Sequence, residues 1–307
     1  MKLAIDALIE GIERMGNPTA VGLDLPEGFA GKVESFADAA DALLRYNKAL
    51  VDALCGIVPC AKVQIAYYEM YGVPGMQAFR ETIDYAKAKG MVVIADAKRN
   101  DIGATASAYA NAYLGETPLG EKADSAFPVD FVTVNAYLGL DGVEPFHKAS
   151  AVRGGGIFAL VKTSNPSGVQ LQDLKIGERT VYEVMGDLVS EWGKDCIGEH
   201  GYSSIGAVVG ATYPEQGAAL RQRLPHTFFL VPGYGAQGGT AADVAGMFDK
   251  QGSGAIVNSS RGIIGAWKKS GKYSESMTAD EALDLVASSA RQAALDMRDN
   301  LRVAVYR

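Results

Sequence analysis

Eight short apolar or alternating runs, each followed by a helical pattern, recur along this chain: Thr19 to Leu25, Ala61 to Ala66, Met91 to Ala97, Phe131 to Ala136, Ile157 to Lys162, Ile205 to Val209, Phe228 to Val231 and Ala255 to Asn258. Such runs read as buried strands, and strands that alternate with helices pair in parallel with the helices outside. Eight is the count of a (β/α)8 barrel, whereas a doubly wound sheet would use fewer strands and break between two halves. The expected fold is therefore one α/β TIM-barrel domain over residues 1–307, a size that barrels reach as single domains. An additional N-terminal helix precedes the first strand, because Ile5, Leu8, Ile9 and Ile12 repeat at helical spacing. Asp6, Glu10 and Glu13 interrupt that stretch and argue against a signal sequence. The segment from Thr278 to about Leu301 opens with a Thr-Ala-Asp-Glu capping pattern and should complete the outer ring.

Bulk properties narrow the partners. A formal charge of -7 argues against nucleic acid, whose non-specific binding needs a basic footprint. No apolar stretch approaches the roughly 18 residues of a membrane span. The three cysteines, Cys55, Cys60 and Cys196, form no CxxC and have no histidine cluster beside them, so no disulfide framework or zinc site is expected. A reducing cytoplasm fits this usage.

Polar residues gather near the C-terminal ends of the first four strands: Asp24, then Lys62 and Gln64, then Asp96 and Lys98, then Asn135. Barrel enzymes build their sites at that end. The richest stretch is Asp96-Ala-Lys98-Arg-Asn-Asp101, where a lysine lies between two carboxylates at the end of the run Met91-Val-Val-Ile-Ala95. Strand alternation sends Asp96 and Lys98 to the same face as Val92 and Ile94, and a helix-like stretch begins at Asp101. A stabilising ion-pair network is the plainer explanation. Buried pairs contribute little net stability after desolvation, however, so several charges converging on one barrel mouth favour function. Asp101 taken alone could be a helix N-cap. His147, His200 and His226 are scattered, which disfavours histidine catalysis.

Gly233-Tyr-Gly235-Ala-Gln237-Gly238 follows a strand and matches the dinucleotide pattern G-x-G-x-x-G. It lies in the seventh strand-helix unit, and too little chain follows to build the rest of a Rossmann sheet. In a barrel, the loops after strands seven and eight form a phosphate site instead. Gln237 can donate from that loop, and Arg261 can add a charged fork. Glycine turns that merely close the barrel would leave the same trace.

With these residues in place, the chain resembles the orotidine 5'-phosphate decarboxylase family, particularly its longer bacterial type. Asp96-x-Lys98-x-x-Asp101 matches the motif of the wider suprafamily, Asp24 in Gly-Leu-Asp24 its first-strand aspartate, and Lys62 in Ala-Lys62-Val-Gln-Ile-Ala its second-strand lysine. Thr163-Ser164-Asn-Pro-Ser resembles the loop that contacts the pyrimidine amide, and Pro232-Gly-Tyr-Gly235-Ala-Gln237-Gly-Gly with Ser260-Arg261-Gly resembles the phosphate-gripping elements. The resemblance implies conversion of orotidine 5'-monophosphate to uridine 5'-monophosphate and CO2, without metal or organic cofactor. It makes Lys98 the proton donor to C6, Asp96 the carboxylate that crowds the departing one, Lys62 the partner of the carboxylates, and Asp24 a ribose contact. Ser164 then reads the base, while Gly235, Gln237 and Arg261 hold the phosphate. It also implies a homodimer with shared sites, in which Asp101 and Thr105 enter the neighbouring subunit. A metal-dependent sugar-phosphate lyase of the same suprafamily and a non-catalytic phosphate-binding barrel are the competing readings. The connections Gly115 to Asp130 and Asn165 to about Gly177 exceed the compact members, and Tyr234 has no assigned role.

Overall fold

The structure, a computed structural model, describes residues 1–24 and 34–305. Eight parallel strands close a barrel in chain order: β1 Thr19–Gly22, β2 Cys60–Gln64, β3 Val92–Arg99, β4 Phe131–Val134, β5 Gly156–Lys162, β6 Ile205–Val209, β7 Phe229–Val231 and β8 Ala255–Ser259. β8 pairs back onto β1, with Ala20 opposite Asn258. All eight expected runs contain strands, with ends differing by a few residues; Leu25, the expected end of the first, lies outside the described residues.

Alternation along the strands separates two apolar layers. Ala20, Cys60, Ile94, Phe131, Phe158, Val208, Phe228, Leu230 and Ile256 fill the barrel, with the Phe131 and Phe158 rings 5.0 Å apart. Residues of opposite parity, such as Val63, Val93, Val132 and Ile157, pack outward against Leu43, Leu50, Phe79 and Phe146 of the helices. Burying each large side chain contributes about 1.5–3 kcal/mol, so the filled interior is a rigid floor rather than a pore.

The helix Ala4–Met15 belongs to the inner layer. Ile5, Leu8, Ile9 and Ile12 join the barrel-filling cluster, and the Ala4 amide donates to the Gly154 carbonyl just before β5. The helix therefore plugs the lower end of the barrel. At the other terminus, Thr278 and Glu281 form the reciprocal cap expected from the sequence, and the helix Ala279–Val305 packs against the helix Phe36–Leu54.

Both long connections carry structure of their own. Residues 115–130 contain the hairpin Thr117–Leu119 with Lys122–Asp124, and residues 165–180 contain a short helix, Val169–Gln172, and the small hairpin Lys175–Ile176 with Arg179–Thr180. The helix expected to begin at Asp101 begins at Gly103. The closed barrel also removes the dinucleotide-sheet reading of the glycine loop.

Candidate active site

Asp96 is the centre of the site. Register places it beside Gln64, two residues above the Lys62–Ile94 pair, so the inward side chains of β2 and β3 meet over the apolar floor. Its carboxylate accepts four hydrogen bonds. Lys62 Nζ and Gln64 Nε2 each lie 3.0 Å from Oδ2, while Lys98 Nζ at 2.5 Å and Thr133 Oγ1 at 3.0 Å share Oδ1. Burial raises the acid's pKa, but the Lys62 and Lys98 ammoniums outweigh that and hold the carboxyl well below the usual range. Lys62 is itself buried. Desolvation disfavours its charge, yet Asp96 and Asp24 more than compensate and raise its pKa.

Lys98 reaches this cluster by a route that simple alternation does not anticipate. Four steps along β3, from Ala95 to Arg99, match only two along β4, from Val132 to Val134, so the strand bulges. Within the bulge Lys98 adopts φ 48°, the left-handed region, and is the only non-glycine residue to do so among the described residues. The expected shared face of Asp96 and Lys98 is thus produced by a distortion. The Thr133 hydroxyl holds that distortion, accepting the Lys98 backbone N–H at 2.9 Å while donating to Asp96. Strained backbone persists where its surroundings fix it, and such places cluster at functional sites. The Lys98 side chain remains about half exposed, whereas that of Lys62 is 6% exposed.

Asp24 stands beyond the end of β1, buried, with Oδ1 lacking a hydrogen-bond partner. Burial pushes its carboxyl above the ordinary value despite the opposing pull of Lys62. Ser260 hydrogen-bonds to it from the end of β8, and the two strand ends approach closely because position 22 is glycine: a Cβ there would lie 1.7 Å from Ser260 Oγ. Beneath, the buried Tyr68 hydroxyl donates to the Leu23 carbonyl and accepts from Asn47. An orphaned buried carboxylate oxygen beside an ammonium is ready to accept hydroxyl donors.

The base and phosphate candidates converge on the opposite rim. Gly233, at φ 100°, faces both the Ser164 Cβ and Gln237 Oε1, which a Cβ would meet at 3.2 and 3.1 Å. Ser164 and Gln237 therefore flank one point. Gly235 and Gln237 are exposed, as is Arg261 at the end of β8. Tyr234 points the other way and hydrogen-bonds with Asn300 of the last helix, which anchors the loop. Asp101 and Thr105 do not join the cluster: Asp101 Oδ1 accepts the Ile102 amide, and Thr105 is exposed on the helix Gly103–Tyr113. Thr133 and Tyr68 belong to no motif of the chain, and Ser260 enters one only as the neighbour of Arg261; their contacts across the fold reveal them. Among the described residues no group of three or more His, Cys, Asp or Glu is arranged to hold a metal.

Comparison with known proteins places the whole chain in one family. Residues 19–275 match the model of the orotidine 5'-phosphate decarboxylase / HUMPS family. The orotidine 5'-phosphate decarboxylase of Rhodopirellula baltica is 45% identical over 298 residues, covering 95% of this chain and 96% of its own, and that of Clostridium acetobutylicum is 40% identical over 306 residues, covering 98% and 99%. The Leishmania donovani OMP decarboxylase structure superposes with a TM-score of 0.75 at 27% identity, covering 99% of each chain. The Methanocaldococcus jannaschii enzyme, solved with the inhibitor BMP, shares the fold at 17% identity, with a TM-score of 0.60 over 93% and 98% of the chains. A barrel with an Asp–Lys array at its mouth, matched to these relatives along nearly its whole length, belongs to the orotidine 5'-phosphate decarboxylase family.

Proposed function

We propose that Lys98 protonates C6 of the pyrimidine as CO2 departs, with Asp96 and Lys62 holding it in place. The chain is a carboxy-lyase that converts orotidine 5'-monophosphate to uridine 5'-monophosphate in pyrimidine biosynthesis. Breaking the C6–carboxylate bond leaves an electron pair in the ring plane, where the π system cannot take it up. Fixed charge must then stabilise it. The Lys98 ammonium, held by Asp96 but half open to the mouth, can oppose that charge and pass its proton to C6; the amine recovers a proton from water. Asp96 would lie against the substrate carboxylate and repel it, a strain relieved as CO2 leaves. At 4 Å one charge pair is worth about 4 kcal/mol at an effective dielectric near 20, or about three decades in rate if felt only in the transition state.

The four-fold hydrogen-bonded Asp96 between two ammoniums is the observation that carries this reading. Asp24 and Lys62 take the ribose hydroxyls, Ser164 the base amide, and Gly235, Gln237 and Arg261 the phosphate, with no metal or organic cofactor. Lys98→Ala should abolish the loss of orotate absorbance, with chelator present throughout, while uridine 5'-monophosphate binding stays measurable. Substantial turnover by that variant would reject the role.

The site is completed by a second copy in a homodimer. Asp101 and Thr105 lie outside their own cluster, and the segments that follow β2, β3 and β4 also expose the apolar side chains Tyr67, Met70, Ile102, Tyr137, Leu138 and Leu140. Mixing Lys98→Ala with Asp101→Ala protein should restore part of the activity, and no recovery after verified subunit exchange would reject sharing. We place the enzyme, one barrel domain throughout, in the cytoplasm, consistent with three free cysteines. Among the described residues, no helix is long and apolar enough to cross a membrane.

A further inference from the structure

Lys162, the last residue of β5, is wholly buried, and the Asp96 cluster does not use it. Its ammonium pairs with Asp173 at 2.5 Å and lies 4.2 Å from the Tyr213 ring centroid and 5.4 Å from that of Tyr182. An ammonium without water needs its partner, so Asp173 cannot leave without stranding the charge. Asp173 belongs to the 165–177 connection, which is thereby fixed to the strand end.

The residue before it grips the chain one step further on. Gln172 Oε1 accepts the Thr163 backbone N–H at 3.0 Å, and Gln172 Nε2 donates to Thr163 Oγ1 at 2.7 Å. Thr163 Oγ1 in turn donates to Asn165 Oδ1 at 2.6 Å. From the turn after β6, Thr212 Oγ1 donates to the Ser164 carbonyl at 3.0 Å, and a Cβ on Gly210 would stand 2.7 Å from Ser164 Cα. Ser164 is thus held on both sides, its side chain beside Gln237 over Gly233.

We propose that Gln172 and Asp173 form a clamp that sets Ser164 against the amide edge of the pyrimidine, making the 165–177 connection a determinant of base recognition. This rests on the reading of Ser164 as the base contact. Gln172 and Asp173 bond to Thr163 and Lys162, not to the residues assigned to sugar or phosphate, so the clamp's effect should be confined to ligands that carry a base.

Calorimetry with uridine 5'-monophosphate and with ribose 5-phosphate, which has the sugar and phosphate but no base, separates the possibilities. Gln172→Ala and Asp173→Asn should weaken binding of the nucleotide about tenfold, the size of one well-placed hydrogen bond, and leave ribose 5-phosphate unchanged. Unchanged nucleotide binding, or equal weakening of both ligands, would overturn the clamp. Gln172→Ala keeps the buried ion pair and carries the test if Asp173→Asn does not fold. Ser164→Ala, measured alongside, tests the underlying reading: wild-type nucleotide affinity there would remove Ser164 as the base contact, whereas weakening there with intact affinity in the clamp variants would remove only the clamp.

Discussion

The Thr133 hydroxyl stands 3.0 Å from Asp96 Oδ1, to which it donates, and Thr133 Oγ1 accepts the backbone N–H of the left-handed Lys98. One small side chain from β4 therefore fixes both the carboxylate and the distorted main chain of the residue that faces the mouth. Thr133→Val keeps the shape and removes both bonds. Turnover should fall about tenfold, the value of one to two hydrogen bonds felt at the reacting centre, with KM little changed, and Thr133→Ser should restore most of it. A change in KM alone, or no rescue by serine, would count against this positioning role.

The two carboxyls of the site move in opposite directions from their ordinary value near 3.9. Burial raises Asp24 against the pull of Lys62; for Asp96, burial is outweighed by two ammoniums, and the value falls. A depressed carboxylate contributes stability above its unfolded value and loses it as pH falls through its folded one, whereas a raised carboxylate favours the folded state only while protonated. Nucleotide binding that needs ionised Asp24 should thus weaken on the acid side sooner than an ordinary aspartate would dictate. Lys62→Met should raise both carboxyls and move that limb upward in pH. Carbon-detected NMR of the aspartate carboxyls reads this directly, and an Asp24 titrating at or below about 3.9 would contradict it.

Close approach of β1 and β8 depends on Gly22. Gly22→Ala would press a methyl into Ser260, costing about 1–3 kcal/mol in denaturant unfolding and displacing the residue that bonds Asp24. Nucleotide affinity should fall with it. Because the Ser260 Cβ also stands too near, at 2.6 Å, the companion change Ser260→Gly should recover stability without recovering affinity. Recovery of both would mean that Ser260 does nothing for Asp24.

The floor below the site can be separated from its chemistry. Phe158 is fully buried against Phe131 inside the barrel, and Phe158→Ala should cost about 3–5 kcal/mol of stability through the cavity it leaves. At a temperature where the variant is folded, turnover should remain within a few-fold of wild type. A loss of several decades would show that the floor sets the geometry above it.

Much of this was legible in the chain. Periodicity marked every barrel strand, and alternation placed Lys62, Gln64 and Asp96 on one inner face. Lys98 reaches that face for a reason the sequence conceals, because the bulge depends on how β3 registers with β4, and no residue between Ala95 and Arg99 announces it. Thr133, Ser260 and Tyr68 act across strands, so their neighbours along the chain say nothing of their partners. Lys162 merely bounds the fifth run in the sequence, and its importance comes from Asp173, eleven residues on in a connection without periodicity. The short hairpins were equally hidden, since two- and three-residue strands leave no periodic trace.

The N-terminal helix plugging the lower end gives the barrel the character of a vessel with a single neck. On the proposed chemistry, carbon dioxide released beside Lys98 would find Phe131, Phe158 and Ile256 below it and leave past the nucleotide that has just lost it. Gas and product would then share one exit, so the loops proposed to hold the phosphate would also govern how long the freed CO2 remains within reach of the carbon it left.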